Sequence, residues 1–294
     1  MIYSFCLSPA IDYCMELPAF CEGELNRSSG EYYSFGGKGI NVARVLRELG
    51  VKSTVLSFAG GFTGEALQNG LRELGVASEL IFVKNGATRI NVKLKGIKET
   101  EINGKGPTVS ADELSVLTEK LEVITENDFA VLSGSIPAGL PKSIYADICR
   151  RLSEKGVPFA VDAEGELLLS TLPYRPLFVK PNRDELKRLF GSDDIDESAR
   201  RLLSMGAQIA VVSLGADGVA LYTESEKLLI AAYSGKAVNT VGAGDSLVAG
   251  FLYGLIKGKS LGEALALGNA AGAATAFSKE LCTRSDIEKL YGVI

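Results

Sequence analysis

The stretch Asn239-Thr-Val-Gly-Ala-Gly-Asp245, followed by the apolar run Ser246–Ile256, places a carboxylate behind Gly-Ala-Gly at the start of a predicted helix. Backbone N–H groups at a helix start lack intrahelical partners, and the helix dipole adds positive potential, so this is an anion site. Gly242 and Gly244 lack the Cβ atoms that would hold a phosphate away. Asp245, in the first turn, is either a capping carboxylate or a base beside a transferring group, where it would accept a hydroxyl proton. Capping alone does not explain the three small residues ahead of it.

Four other stretches have residue types suited to ligands. Ser34-Phe-Gly-Gly-Lys-Gly-Ile-Asn41 opens a helix with a Gly-rich turn. Its lysine is followed by glycine rather than Ser or Thr, so it is not a P-loop. It is either a tight turn or a cradle in which Lys38 and Asn41 hold a polyhydroxy or phosphorylated ligand. Ser133-Gly-Ser-Ile-Pro137 follows a buried strand, where α/β sheets bind ligands. Lys180-Pro-Asn-Arg-Asp-Glu185 has capping-box spacing between Asn182 and Glu185, and Ser213-Leu-Gly-Ala-Asp-Gly218 on its own reads as a β-turn. Gly60-Gly-Phe-Thr-Gly64 lacks the spacing of a dinucleotide fingerprint.

The elements that must position these residues alternate in type. Strands are expected at Ile2–Leu7, Val55–Phe58, Phe129–Leu132, Phe159–Asp162, Phe178–Lys180 and Ile209–Ser213. Helices are expected at Lys38–Leu49, Thr63–Leu74 and Pro141–Lys155, with another opened by the capping box Ser110–Glu113. Such repeats imply a mostly parallel sheet covered by helices on both faces, as one unit over residues 1–294. Two stretches, Gly23–Phe35 and Thr88–Asn103, read instead as extended. In the second, Ile90, Val92 and Leu94 oppose Arg89, Asn91, Lys93 and Lys95. They predict a small separate sheet, a discontinuous lid from about 11–35 and 86–107, whose apolar face needs a cover.

Composition narrows the chemistry. The chain has 294 residues, 46% of them hydrophobic, and a net charge of -5. That balance does not point to nucleic acid or an anionic membrane surface, and no apolar run is long enough for a transmembrane helix. There is no histidine, so Ser-His-Asp hydrolysis and histidine-ligated zinc are excluded, and any general base is Asp, Glu, Lys, Tyr or Cys. Five cysteines without a C-x-x-C pair, and an N-terminus unlike a signal peptide, fit a reducing cytoplasm.

In this order and spacing, across nearly the whole chain, these stretches resemble the ribokinase-like (PfkB) carbohydrate kinases. Gly36–Asn41 and Asn239–Asp245 resemble the family's two signatures, Lys180–Glu185 its magnesium and nucleotide-phosphate motif, and Ser213–Gly218 its nucleotide loop. Leu7-Ser-Pro-Ala-Ile-Asp12, with Ser8 where Asn is usual, resembles the start of the sugar-phosphate branch. Thr88–Lys93 and Glu99–Pro107 look like the 1-phosphofructokinase subgroup.

The resemblance implies transfer of the ATP γ-phosphoryl to the C6 hydroxyl of fructose 1-phosphate. Tagatose 6-phosphate and fructose 6-phosphate are the rival acceptors, and a non-catalytic sugar-phosphate sensor is the rival of another class. It implies Asp245 as base, with no need for a raised pKa, and an anion hole at Gly242, Ala243, Gly244 and Asp245. Sugar contacts fall to Asp12, Gly37, Asn41 and Ser133, and the substrate's phosphate to Lys38, Arg89 and Arg27. Lys180, Asn182, Ser213, Gly215, Gly218, Asn239 and Asn269 would serve ATP. Asn182 and Glu185 would stand in the outer shell of Mg²⁺. Relatives pair their lid sheets into a homodimer.

Overall fold

The computed structural model describes residues 1–96 and 100–294. Its strands are β1 Ile2–Phe5, β2 Ala10–Glu16, β3 Gly30–Gly36, β4 Ser53–Gly60, β5 Ala77–Val83, β6 Arg89–Lys95, β7 Thr100–Asn103, β8 Phe129–Ser133, β9 Phe159–Asp162, β10 Phe178–Val179, β11 Ala210–Ser213, β12 Val219–Tyr222 and β13 Lys227–Ile230. They form a nine-stranded sheet, in the order β13-β12-β11-β10-β9-β8-β1-β4-β5, and a four-stranded sheet, β3-β2-β6-β7. From β5 to β11 the large sheet is parallel, and β12 and β13 close its edge antiparallel.

The central strands are apolar throughout because each feeds two cores. Along β8, Ala130 and Leu132 join one cluster with Leu56, Tyr145 and Val161, whereas Phe129 and Val131 join the other with Phe178 and Phe251. A strand covered on both faces has no solvent side on which to alternate. The second cluster is closed by two long helices, Ala243–Ile256 and Leu261–Ala276, with Leu252, Leu265 and Leu267 at 0% exposure. Full burial of such a side chain stabilises by about 1.5–3 kcal/mol.

The parallel order puts the ends of β1, β8, β9, β10 and β11 along one edge of the sheet, where ligands bind in open α/β folds. Ser133, Asp162, Lys180 and Ser213 therefore emerge on the same side. β9 coincides with its expected span. Two spans differ. The helix expected from Pro141 begins at Ile144, whose N–H closes a turn on the Pro141 carbonyl at 3.0 Å. The stretch expected to be extended from Gly23 becomes a strand only at Gly30. Of the extended stretch 88–103, residues 97–99 lie outside the described residues.

The small sheet stands over that edge. It turns Asn91 inward (7% exposed) while Tyr33, Ile90 and Ile102 lie open on its other side (62%, 40% and 57%). It is fastened by Phe35, whose ring packs on Gly70 in the helix Gly61–Glu73, in the space a Cβ would need. Alanine is the better helix former, so Gly70→Ala should stabilise by up to about 1 kcal/mol if propensity ruled. The ring contact reverses the sign. Gly70→Ala should lower stability by about 1–3 kcal/mol, the usual cost of overpacking, as measured by urea denaturation. A gain in midpoint would show that Phe35 does not rest there.

Candidate active site

The helix Ala243–Ile256 is started by Gly242 in the left-handed region (φ 82°), the one position in this loop that needs glycine for its backbone. Gly244 is helical, and its role is proximity: a Cβ there would approach Lys180 Nζ to 3.3 Å. The Ala243 N–H turns back to the Thr240 carbonyl and the Ser246 N–H to that of Gly242. The N–H groups of Gly242, Gly244 and Asp245 have no such partner, which narrows the expected four-donor anion hole to three.

Asp245 is buried, 6% exposed, and its Oδ2 accepts from Asn41 Nδ2 at 2.8 Å. Asn41 lies in the first turn of the helix Lys38–Glu48, which begins at the glycine turn of Gly37 (φ 126°). The two glycine-rich motifs, 204 residues apart, thus meet as two helix starts. Burial pushes the Asp245 carboxyl up to about 6. The nearby Asp162 charge adds to the rise, and Asn41, Lys38 and Lys180 oppose it. The carboxyl therefore titrates higher than the chemistry required of it.

Asp162 was legible in the sequence only as the last residue of a strand. It is 2% exposed, with Oδ1 at 3.1 Å from Lys38 Nζ and 3.4 Å from Lys180 Nζ. Burial works against its charge, but the two ammonium groups hold its carboxyl below the ordinary carboxylate value. Lys38 is raised despite burial, by Asp162, Glu185 and Asp245. Its Nζ lies 4.0 Å from Glu185 Oε1. Lys38 thus sits at the helix starts, among the carboxylates, rather than on the small sheet. The general signal for Asp162 was a carboxylate closing an apolar parallel strand.

Beside these groups opens a cavity of about 780 Å³ lined by Asn182, Ser213, Gly215, Gly218, Gly244 and Asn269, among others, with Tyr233 and Phe277 on its wall. Its polar members are already fixed by the fold. The Asn269 side chain donates to the Ala231 carbonyl at 2.9 Å. Asn182 and Glu185 form a reciprocal capping box, each side chain accepting the other's backbone N–H at 2.8 Å. Asn239 lies aside, lining a smaller recess with Lys93 and Thr240, and its amide donates to the Lys279 carbonyl.

Among the described residues no three acidic or thiol groups cluster as a metal cage. Glu185 spends Oε2 on its cap and has Oε1 left. One carboxylate oxygen beside a nucleotide-sized cavity suits a magnesium ion, which keeps several waters and takes phosphate oxygens. The residues present fit that group.

On the other side stands Asp12, on β2. Its Oδ1 accepts from Asn91 Nδ2 at 2.9 Å, and its Oδ2 occupies the space over Gly36 that a Cβ would fill. Asn91, absent from the expected site, is paired across from Asp12 in the β2–β6 register. Arg89 Nη2 donates to the Ser8 carbonyl at 3.1 Å. The Ser133 hydroxyl is buried with no partner. Arg27 is exposed in the connection between β2 and β3.

Known proteins share this fold. The model of the pfkB family of carbohydrate kinases matches residues 7–288. The chain is 42% identical over 295 residues to the 1-phosphofructokinase of Bacillus subtilis (strain 168), covering 99% of this chain and 97% of that one. It superposes on phosphofructokinase-2 from Escherichia coli in complex with fructose-6-phosphate with a TM-score of 0.91, at 30% identity, covering 99% and 97% of the two chains. With the Arabidopsis thaliana ribokinase complexed with ribose and ATP it shares the fold (TM-score 0.81, 22% identity, 100% and 99% covered).

The charge arrangement has a measurable sign. Asp245 holds its proton more tightly here than an ordinary aspartate, which releases it near 3.8. Its contribution to stability is therefore full below that value and lost as pH rises through about 6. Asp162→Asn removes a neighbouring negative charge and leaves the two ammonium groups unbalanced, and both effects favour ionised Asp245. Carboxyl ¹³C NMR should find Asp245 titrating near pH 6 in the wild type and at lower pH in Asp162→Asn. An unmoved titration would remove Asp162 from the electrostatics of the site.

Proposed function

The chain belongs to the pfkB family of carbohydrate kinases, and within that family we propose that it transfers the γ-phosphoryl group of ATP to the C6 hydroxyl of fructose 1-phosphate, yielding fructose 1,6-bisphosphate and ADP. The observation that carries the reading is a buried carboxylate, Asp245, at an open helix N-terminus whose Gly244 lines a nucleotide-sized cavity. A sensor that only binds has no use for a base at its anion hole.

In this reading ATP lies in the 780 Å³ cavity, against Ser213, Gly215, Gly218 and Asn269, with its phosphates toward Lys180, Asn182 and the N–H groups of Gly244 and Asp245. Phosphoryl transfer asks the protein mainly for alignment and charge stabilisation. The C6 oxygen attacks the γ-phosphorus as the bond to the β-phosphate oxygen breaks, and the hydroxyl proton goes to Asp245, which Asn41 holds in place. The free N–H groups and the ammonium groups of Lys38 and Lys180 stabilise charge on the transferring group. Bound Mg²⁺, held through water by Glu185 Oε1 and Asn182, would neutralise nucleotide phosphate charge.

Asp12, Gly37 and Ser133 hold sugar hydroxyls. Arg89, with donors to spare beyond its contact to Ser8, takes the 1-phosphate, with Arg27 as a second candidate. The small sheet acts as a lid that excludes water able to accept the phosphoryl group. Its exposed apolar side, Tyr33, Ile90 and Ile102, supports a homodimer in which lid sheets cover each other. A cytoplasmic enzyme suits both substrates, and no helix among the described residues is long and apolar enough to cross a membrane.

Two variants test the assignment. Asp245→Asn should lower turnover by about 10²–10⁴-fold while Tm and MgATP binding stay near wild type, because asparagine keeps an acceptor for Asn41 but takes no proton. Near-full activity would remove the base. Arg89→Ala should lower kcat/KM for fructose 1-phosphate by about ten- to a hundredfold, the worth of one charge-assisted contact, with the KM for ATP unchanged. Unphosphorylated fructose should lose almost nothing, and an equal loss for both sugars would show that Arg89 does not read the phosphate.

A further inference from the structure

Among the described residues, five buried side-chain polar atoms have no hydrogen-bond partner: Arg89 Nε, Asn91 Oδ1, Ser133 Oγ, Asp162 Oδ2 and Ser198 Oγ. A buried polar atom left unpaired costs free energy, so natural proteins keep few, and those they keep call for a reason. Four of these five belong to the residues described above, Arg89, Asn91 and Ser133 on the acceptor side and Asp162 between the lysines. Arg89, Ser133 and Asp162 already have work there. Asn91 has none in the reaction as described, yet it is among the most buried polar residues of the small sheet, 7% exposed.

Its orientation is chemically fixed. Asn91 Nδ2 donates to Asp12 Oδ1 at 2.9 Å. An ionised carboxylate only accepts, so the amide nitrogen must face Asp12, and the amide oxygen must face away from it. That oxygen is a buried acceptor in need of a donor. Arg89, two residues earlier on β6, leaves a buried donor, Nε, on the same face of the strand. Side chains two apart on a strand are about 6.7 Å apart. A sugar phosphate has this pairing of needs within that span: phosphate oxygens that accept, and ring hydroxyls that donate.

We propose that Asn91 is a specificity-determining residue, whose Oδ1 accepts a hydrogen bond from one ring hydroxyl of the ketohexose phosphate while its Nδ2 aligns Asp12. This rests on the reading of the site as a ketohexose-phosphate kinase. A site with a fixed buried acceptor rejects a sugar lacking the matching hydroxyl, because the acceptor is then buried unpaired. Asp12 alone would not discriminate as sharply, since a half-exposed carboxylate has water as an alternative donor.

The test is a panel of substrates that each lack one ring hydroxyl: 2,5-anhydromannitol 1-phosphate, without the C2 hydroxyl, and the 3-deoxy and 4-deoxy forms of fructose 1-phosphate. Values of kcat/KM are compared for the wild type, Asn91→Ala and Asn91→Leu, the leucine keeping the volume of the site. The wild type should lose about ten- to a hundredfold on removal of one particular hydroxyl. In both variants that single loss should shrink to less than about threefold, the other two should stand, and the KM for ATP should not move. A common factor on all four sugars would mean that Asn91 only holds Asp12, and wild-type discrimination retained in both variants would mean that it reads nothing. Either result overturns the proposal. Should the wild type not phosphorylate fructose 1-phosphate, that substrate assignment fails by itself, and the same hydroxyl deletions in the ketohexose phosphate it does use decide the role of Asn91.

Discussion

The carboxylate of Asp162, held between the ammonium groups of Lys38 and Lys180, is the constraint around which the site is arranged. A buried ion cluster is a poor device for stability. Apolar residues of similar volume often do as well, whereas removing one member leaves a buried charge uncompensated at a cost of about 3–5 kcal/mol. The cluster makes sense as electrostatics for a ligand. Asp162 fixes two lysines that reach the site from different elements, a helix start and a strand end, next to the open N–H groups of Gly244 and Asp245. The same negative charge helps lift Asp245. Three buried or half-buried carboxylates, Asp162, Glu185 and Asp245, face two ammonium groups, so a polyphosphate entering here needs a cation of its own. That is a physical reason for magnesium with ATP at a site with no metal cage.

The fold accommodates this chemistry at a cost in stability. Asp162 Oδ2, Ser133 Oγ and Asn91 Oδ1 are buried without partners, and the small sheet leaves Tyr33, Ile90 and Ile102 open. Both are defects by the rules of packing and make sense once a sugar phosphate and a second copy of the chain are admitted. The rest of the molecule carries the load: two apolar cores on either face of a parallel sheet, and a pair of largely buried helices whose packing fixes the start at Gly242 of the first.

Elements covered on both faces were the most legible in the sequence. β8 and β9, apolar runs between turn signals, lie where periodicity put them, and the capping boxes at Ser110 and Asn182 form as their spacing predicts. The edge strands β5 and β13 were not foreseen, because short half-exposed segments such as Ala77–Val83 show neither a continuous apolar run nor strict alternation; β12, Val219–Tyr222, buried throughout and only four residues long, was also missed. Of the site, Asp245 and its glycines announced themselves locally, since a helix start is a local feature. Asp162 and Asn91 did not. Each looks ordinary in its own strand, and its significance comes from partners 124 and 79 positions away. Lys38 was read as a ligand for the substrate's phosphate; its Nζ lies beside Asp162 and Glu185, a placement that only the meeting of the two helix starts reveals.

The central claim is tested most directly by identifying the product. Purified protein with MgATP and fructose 1-phosphate is followed by ³¹P and ¹³C NMR. The account predicts ADP formed in equal amount with a sugar carrying phosphates on C1 and C6. ADP formed without a new C6 phosphate, or phosphoryl transfer only to sugars that lack the 1-phosphate, would contradict it.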